Sequence, residues 1–160
     1  CSRIARIPLM KIAIGSDHAG FVLKEHLRAL VSSLGHEVDD FGCYSCESVD
    51  YPDVSLAVAR SVAAGRFDRG ILVCGSGQGT CIAANKIQGI RATLCNDLYA
   101  ATYTRSHNDA NVMTLGERIV GPGLAEAIVA TWLATEFSGD ARHQRRIDKI
   151  HEAEQEGMNA

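Results

Sequence analysis

The sequence predicts an α/β fold, a single-domain three-layer α/β/α sandwich on a five-stranded parallel, Rossmann-like sheet. Two observations carry this. Apolar runs of strand length alternate with segments of helical periodicity over roughly 130 residues, with no linker, repeat or low-complexity tract between them. One run, 69–74 (RGILVC), is apolar on both faces, as a central strand covered by helices on each side must be.

Each element follows from its local pattern. Residues 10–15 (MKIAIG) form a short Ile-rich first strand that stops at glycine. Residues 21–34 place Leu23, Leu27, Leu30, Val31 and Leu34 at helical spacing, with Gly35 as the stop signal. Residues 36–41 (HEVDDF) alternate as a half-exposed strand. Pro52, just behind Asp50, opens a second helix through Val54, Val58 and Val62, which Gly65 closes. The central strand 69–74 follows, then a helix over 79–86, a strand over 90–94 and a helix over 97–106. A fifth strand (111–115), a long helix (122–137) and a more polar helix from Arg142 to Glu156 complete the pattern. Residues 10–156 are thus expected to be one domain, with 1–9 an N-terminal extension, Met10 a candidate translation start and 157–160 a tail.

Composition narrows the class. The chain has 160 residues and a formal charge of −3, with 46% hydrophobic and 22% charged residues, so it is too apolar for a disordered protein. Mild acidity argues against a nucleic-acid partner, and no apolar run reaches the length of a membrane span. Six cysteines (Cys1, Cys43, Cys46, Cys74, Cys81 and Cys95) would suit three disulfides in a small secreted domain. Residues 1–9, however, hold two arginines and no signal-like apolar stretch, and a chain of this length needs no staples. A cytoplasmic protein with free thiols is expected.

Ligands of such sheets bind beyond the carboxyl ends of the strands, which singles out loops 15–20, 42–51, 74–80, 95–97 and 115–118. Cys74-Gly75-Ser76-Gly77-Gln78-Gly79-Thr80 is the most informative of them. Alternating glycines let backbone N–H groups approach a ligand and hold a phosphate or an enolate-like oxygen. Cys74, at the strand end beside a helix N-terminus, is placed to act as a thiolate, or else is a buried cysteine next to a glycine turn. Residues 15–20 have P-loop glycine spacing but lack the Lys-Ser/Thr that follows it. The dinucleotide fingerprint fails because Thr80 stands where its third glycine belongs, although Asp97 lies where a ribose-binding acid would sit.

Asp17-His18 occupies the first loop, and His107 lies in Ser106-His107-Asn108-Asp109 at a helix end. Arg142 and Arg146 share one helical face, and Arg145 with Lys149 form a second basic strip. Such strips commonly serve solvation, but they also suit a phosphate group. Cys43-x-x-Cys46 has no second pair and no His at ligand spacing, so zinc is not expected there.

Taken in order, Gly15-Ser-Asp-His-Ala-Gly20, Asp50-Tyr51-Pro52, Cys74-Gly-Ser-Gly-Gln-Gly79, Ile82-Ala-Ala-Asn-Lys86, His107-Asn-Asp-Ala-Asn111, Gly116-Glu-Arg118 and Arg142-His-Gln-Arg-Arg146 strongly resemble ribose-5-phosphate isomerase type B. That resemblance runs from Met10 to His151. It implies a metal-independent aldose–ketose isomerase of the pentose phosphate pathway, acting through a cis-enediolate and needing no cofactor. It implies Cys74 as the base moving a proton between C1 and C2, Ser76 beside the reacting carbons and His107 as the ring-opening residue. Members without that cysteine use a glutamate six positions later, where this chain has Thr80. Asp17, His18, Tyr51, Asn108 and Arg118 then contact substrate, the amides of Gly75, Gly77, Gln78 and Gly79 stabilise the enediolate, and Arg142 and Arg146 grip the phosphate. The expected partners are a phosphorylated sugar and further copies of the chain, in a homodimer or tetramer whose active site lies at a subunit interface.

The chemistry stands beside the resemblance. A 1,2-proton shift needs one base serving both carbons, and oxyanion donors, while a histidine suits ring opening because its ordinary pKa is about 6.5. The alternatives are an allose- or galactose-6-phosphate isomerase, separable by comparing kcat/KM, and a non-catalytic nucleotide-binding module, separable by calorimetry. A thiol redox protein acting through Cys43 and Cys46 is a further one.

Overall fold

Arg69–Cys74, the doubly apolar run, is the middle strand (β3) of one five-stranded parallel sheet. The computed structural model describes residues 8–159; residues 1–7 of the expected extension and residue 160 of the expected tail lie outside the described residues. The remaining strands are β1 (Lys11–Ser16), β2 (Glu37–Asp40), β4 (Ala92–Leu94) and β5 (Val112–Gly116), in the spatial order β2-β1-β3-β5-β4. The helices are α1 (Phe21–Ser33), α2 (Tyr51–Ala63), α3 (Gln78–Ala84), α4 (Leu98–Asn108), α5 (Pro122–Ala134) and α6 (Ala141–Asn159).

The strands form because their apolar residues face two separate cores. On one face, Ile12, Ile14, Ile71, Val73, Met113 and Leu115 pack with Leu23, Leu27 and Val31 of α1, Ala101 of α4 and Ile128, Val129 and Trp132 of α5. On the other, Ala13, Leu72 and Val112 pack with Val54, Val58 and Val62 of α2 and Ala84 of α3. Side chains alternate along a strand, so successive residues of β3 feed opposite cores. Burying both faces keeps all three layers apolar inside.

Several boundaries differ from the pattern. α5 stops at Ala134 rather than at residue 137, because Thr135 turns extended and its hydroxyl donates to the Thr131 carbonyl at 2.7 Å. β4 is shorter than 90–94: the Arg91 N–H is taken by the Asn111 side chain at 2.9 Å rather than by a strand partner. α6 continues through residues 157–159, which the pattern assigned to a tail. A 3₁₀ turn at His18–Gly20, absent from the sequence reading, joins β1 to α1.

Lys24 of α1 is fully buried, with Nζ 2.7 and 2.9 Å from the Asp40 carboxylate and donating to the Cys43 carbonyl at 2.7 Å. Asp40 also accepts from the Gly42 N–H at 2.9 Å. Backbone bonds from Ser16 to Gly42 and from Cys43 to Ser16, both 2.6 Å, complete this strap. The loop after β2 is thereby fixed against the end of β1, where the site begins.

Candidate active site

The chain reverses its direction of travel across the sheet between β1 and β3, and ligands gather at such switch points. Register brings three loops together there: Ser16 lies opposite Val73 and Cys74 opposite Gly116, so the segments leaving β1, β3 and β5 emerge side by side. With the start of α2 they enclose a cleft of about 450 Å³. Its walls are Asp17, His18, Ala19, Tyr51, Cys74, Gly75, Ser76, Gly79, Arg118 and Ile119.

Each wall residue is held by local structure. Asp17 is buried, its Oδ1 accepting from the Gly20 N–H at 3.1 Å and capping the 3₁₀ turn. His18 Nδ1 accepts from the Val49 N–H at 3.2 Å, so the neutral ring carries its proton on Nε2. Tyr51 opens α2 and lies over Gly79: a Cβ there would come within 2.7 Å of the ring, so only glycine admits it. The Arg118 N–H donates to the Gly75 carbonyl at 3.0 Å, and its side chain has no acidic partner among the described residues.

Cys74 ends β3 and is 5% exposed, at the bottom of the cleft. Its Sγ accepts from the Gly77 N–H at 3.1 Å and lies 3.6 Å from Thr80 Oγ1. Gly77 makes that bond from a left-handed backbone (φ +78°), and a Cβ on it would sit 2.5 Å from Leu94 Cδ1 and 2.7 Å from the Leu115 carbonyl carbon. The resemblance implies that the Gly77 and Gln78 amides stabilise the enediolate oxygen. In the structure the first is turned to Cys74, and the second donates to Ser76 Oγ at 3.3 Å.

Gly77 and Gln78 are not among the cleft walls, and neither are the four remaining expected residues. His107 and Asn108 lie at the end of α4, and Arg142 and Arg146 at the start of α6. The His107 ring meets that of His143 edge to face at 4.1 Å and that of Tyr103 at 4.8 Å. His143 is held below its ordinary pKa by burial and then by the nearby charge of His107 and Arg142. Its Nε2 accepts from Arg142 Nε at 3.0 Å. One chain therefore carries two separate groups: the cysteine cleft, and a histidine–arginine face on α4 and α6.

The ribose/galactose isomerase family model matches residues 12–150. The chain belongs to that family. The isomerase is 48% identical over 147 residues to ribose-5-phosphate isomerase B of Escherichia coli, covering 92% of this chain and 98% of that one. It superposes on ribose-5-phosphate isomerase B of Clostridium thermocellum with a TM-score of 0.90 at 53% identity, covering 92% of this chain and 99% of that one. It is also 42% identical to D-erythrulose-4-phosphate isomerase of Pectobacterium atrosepticum, covering 89% of this chain and 93% of that one.

Four other cysteines lie among the described residues of the isomerase. Burial pushes the Cys95 thiol up to about 11 and raises that of Cys81, so both resist ionisation. Cys43 and Cys46 are free in the loop after β2, the Cys43 thiol donating to the Ser45 carbonyl at 3.2 Å. Glu117 entered above only as the middle of Gly116-Glu-Arg118, with no role of its own. Its Oε2 accepts from the Leu23 N–H at 2.9 Å, capping α1 from 94 residues away, while its own N–H donates to the Cys74 carbonyl at 2.9 Å. Only a capping residue local to α1 could have been found from spacing, and α1 has none.

Proposed function

We propose that this isomerase interconverts ribose 5-phosphate and ribulose 5-phosphate, with Cys74 as the base. The observation that carries the reading is a buried thiol at the bottom of a cleft whose rim holds an arginine with no acidic partner among the described residues. In the open-chain aldose the Cys74 thiolate takes the proton from C2 and becomes a thiol, leaving an enediolate across C1 and C2. The same thiol returns that proton to C1, and the Ser76 hydroxyl passes the O2 proton to O1. One group serves both carbons because it lies on one face of a planar enediolate. Gly75 and Gly79 line the cleft as oxyanion donors, with Asp17, His18 and Tyr51 holding sugar hydroxyls.

The cyclic sugar needs its ring oxygen protonated before this shift. His107 has that role, and the separation of its face from the cleft supports a homodimer, or a tetramer built from dimers, in which a second copy supplies His107 and Asn108. Arg142 and Arg146 arrive with them and hold the phosphate, aided by Arg118 from the cleft's own rim. The phosphate grip orients the sugar without taking part in the chemistry. Residues 10–156 form the catalytic domain of a cytoplasmic enzyme, and no metal or cofactor enters the steps above. Among the described residues no helix is long and apolar enough to cross a membrane.

A turnover assay tests this. Ribose 5-phosphate should be converted with a kcat/KM well above those for allose 6-phosphate, galactose 6-phosphate and erythrulose 4-phosphate, and a chelator should leave the rate unchanged. A higher kcat/KM for a four- or six-carbon substrate would overturn the pentose assignment, and loss of rate with chelator would overturn the acid–base mechanism.

A further inference from the structure

Thr80 is fully buried behind Cys74, and its hydroxyl stands between two acceptors. Oγ1 donates to the Gly77 carbonyl at 3.1 Å and lies 3.6 Å from Cys74 Sγ. The same carbonyl receives a second donor, the hydroxyl of the fully buried Thr114, at 2.8 Å. We propose that Thr80 is a positioning residue whose hydroxyl alternates between the Gly77 carbonyl and the Cys74 sulfur, donating to the sulfur whenever Cys74 is a thiolate. The proposal rests on the reading of Cys74 as the base.

Hydrogen-bond counting leads there. A thiol at position 74 donates its S–H to Thr80 Oγ1, and the Thr80 O–H donates onward to Gly77. A thiolate has lost that donor and gained acceptor capacity. Rotation of the Thr80 hydroxyl about its Cβ–Oγ1 bond then turns its proton to the sulfur, which is left with two donors, Thr80 and the Gly77 N–H. The Gly77 carbonyl is not orphaned, because Thr114 still serves it. Only a hydroxyl proton moves, and no proton is exchanged with Thr80. A base that must accept a proton at one carbon and release it at the next needs both protonation states satisfied in one heavy-atom arrangement, and this pair of threonines provides that.

The test is Thr80→Val, which keeps the shape and removes the hydroxyl. Cys74 shares its cleft with Asp17 and His18 from the first loop, Tyr51 from α2 and Arg118 from the loop after β5, and all four are untouched by the change. Alkylation of Cys74 by iodoacetamide, followed peptide by peptide by mass spectrometry, gives a reactivity–pH profile free of the other cysteines. In Thr80→Val the profile should move up by about one pH unit, since a bond to a charged group is lost. The kcat for ribose 5-phosphate at neutral pH should fall about tenfold with KM within about twofold. Thr80→Ser should restore both. If Thr80→Val does not melt cooperatively, Thr80→Ala removes the same hydroxyl. A profile superimposable on the parent's in the folded variant overturns the proposal. A shifted profile with unchanged turnover supports the Thr80–sulfur bond and removes Cys74 from the chemistry, so that failure falls on the base assignment alone.

Discussion

His107 on α4 and His143 on α6 meet edge to face with ring centroids 4.1 Å apart, and Arg142 donates to the far nitrogen of His143. The contact ties the proposed ring-opening histidine to the helix bearing the proposed phosphate-binding arginines. Whatever positions α6 therefore positions His107 as well. A second copy docking on this face would bring the proposed proton donor and the proposed phosphate grip as one unit.

Mixing inactive variants exposes that arrangement. Cys74→Ala and His107→Ala chains, each inactive on the cyclic sugar, should regain activity when unfolded and refolded together. A mixed dimer holds one intact site and one doubly defective site, so an equimolar statistical mixture should reach about a quarter of the parent rate. Activity staying at the level of the separate variants would place both residues of each site within one chain.

The two variants should also differ singly. Cys74→Ala should lower kcat by about a thousandfold or more on open-chain and cyclic substrate alike, as loss of the acid–base group demands. His107→Ala should hurt turnover of the furanose much more than that of an open-chain sugar phosphate such as one with four carbons, which cannot close a furanose through a phosphorylated terminal oxygen. Near-full rate in Cys74→Ala would remove the thiol from the mechanism.

Gly77→Ala tests the turn rather than the chemistry. The left-handed backbone and the closeness of Leu94 and Leu115 leave no room for a methyl group. The variant should lose roughly 2–4 kcal/mol of stability in urea unfolding, and Cys74 should lose its amide donor with it. Gly121→Ala is the control, because a Cβ there meets nothing within 4 Å.

Acid should destabilise the fold through His36. Its ring is buried at the start of β2, Nδ1 accepting from the Met10 N–H at 3.2 Å, and burial, then the charge of Arg69, lowers its pKa. The unfolded chain therefore binds more protons than the folded one as pH falls through the unfolded value of about 6.5. The stability this neutral ring contributes is full above that value and is lost progressively as pH drops toward the folded one. His143 shifts in the same direction. Melting temperature should decline from about pH 7 to pH 5, and His36→Asn, which keeps an acceptor, should flatten part of that slope. An unchanged slope would assign the acid sensitivity to other groups.

Strand and helix identities were legible because burial on two faces imposes periodicity, and Arg69–Cys74 announced its central place by having no polar face. The cleft around Cys74 was legible for a related reason: apart from Tyr51, its residues follow closely on strand ends, so sequence position and spatial position nearly coincide. Lys24 was not. Nothing in its spacing distinguishes a buried lysine from a solvated one until Asp40 and the Cys43 carbonyl arrive from another element. Glu117 and Thr80 act over contacts that register and turn geometry create, and neither leaves a local pattern. The separation of His107 from Cys74 was legible only as the resemblance's expectation of a shared site, because spacing along one chain carries no information about which copy faces which.

The strand order has a consequence during synthesis. β5 lies between β3 and β4, and β4 pairs with β5 alone in the sheet. A nascent chain can close β2, β1 and β3 as soon as they emerge, but residues 92–94 then wait for residues 112–116, and until that arrival β3 presents an apolar, unpaired edge. Ribosomal stalling or truncation in this interval leaves the central strand open to edge-to-edge association with other chains. The strand that aligns Gly116 beside Cys74 is thus also the one whose late arrival seals the sheet against aggregation.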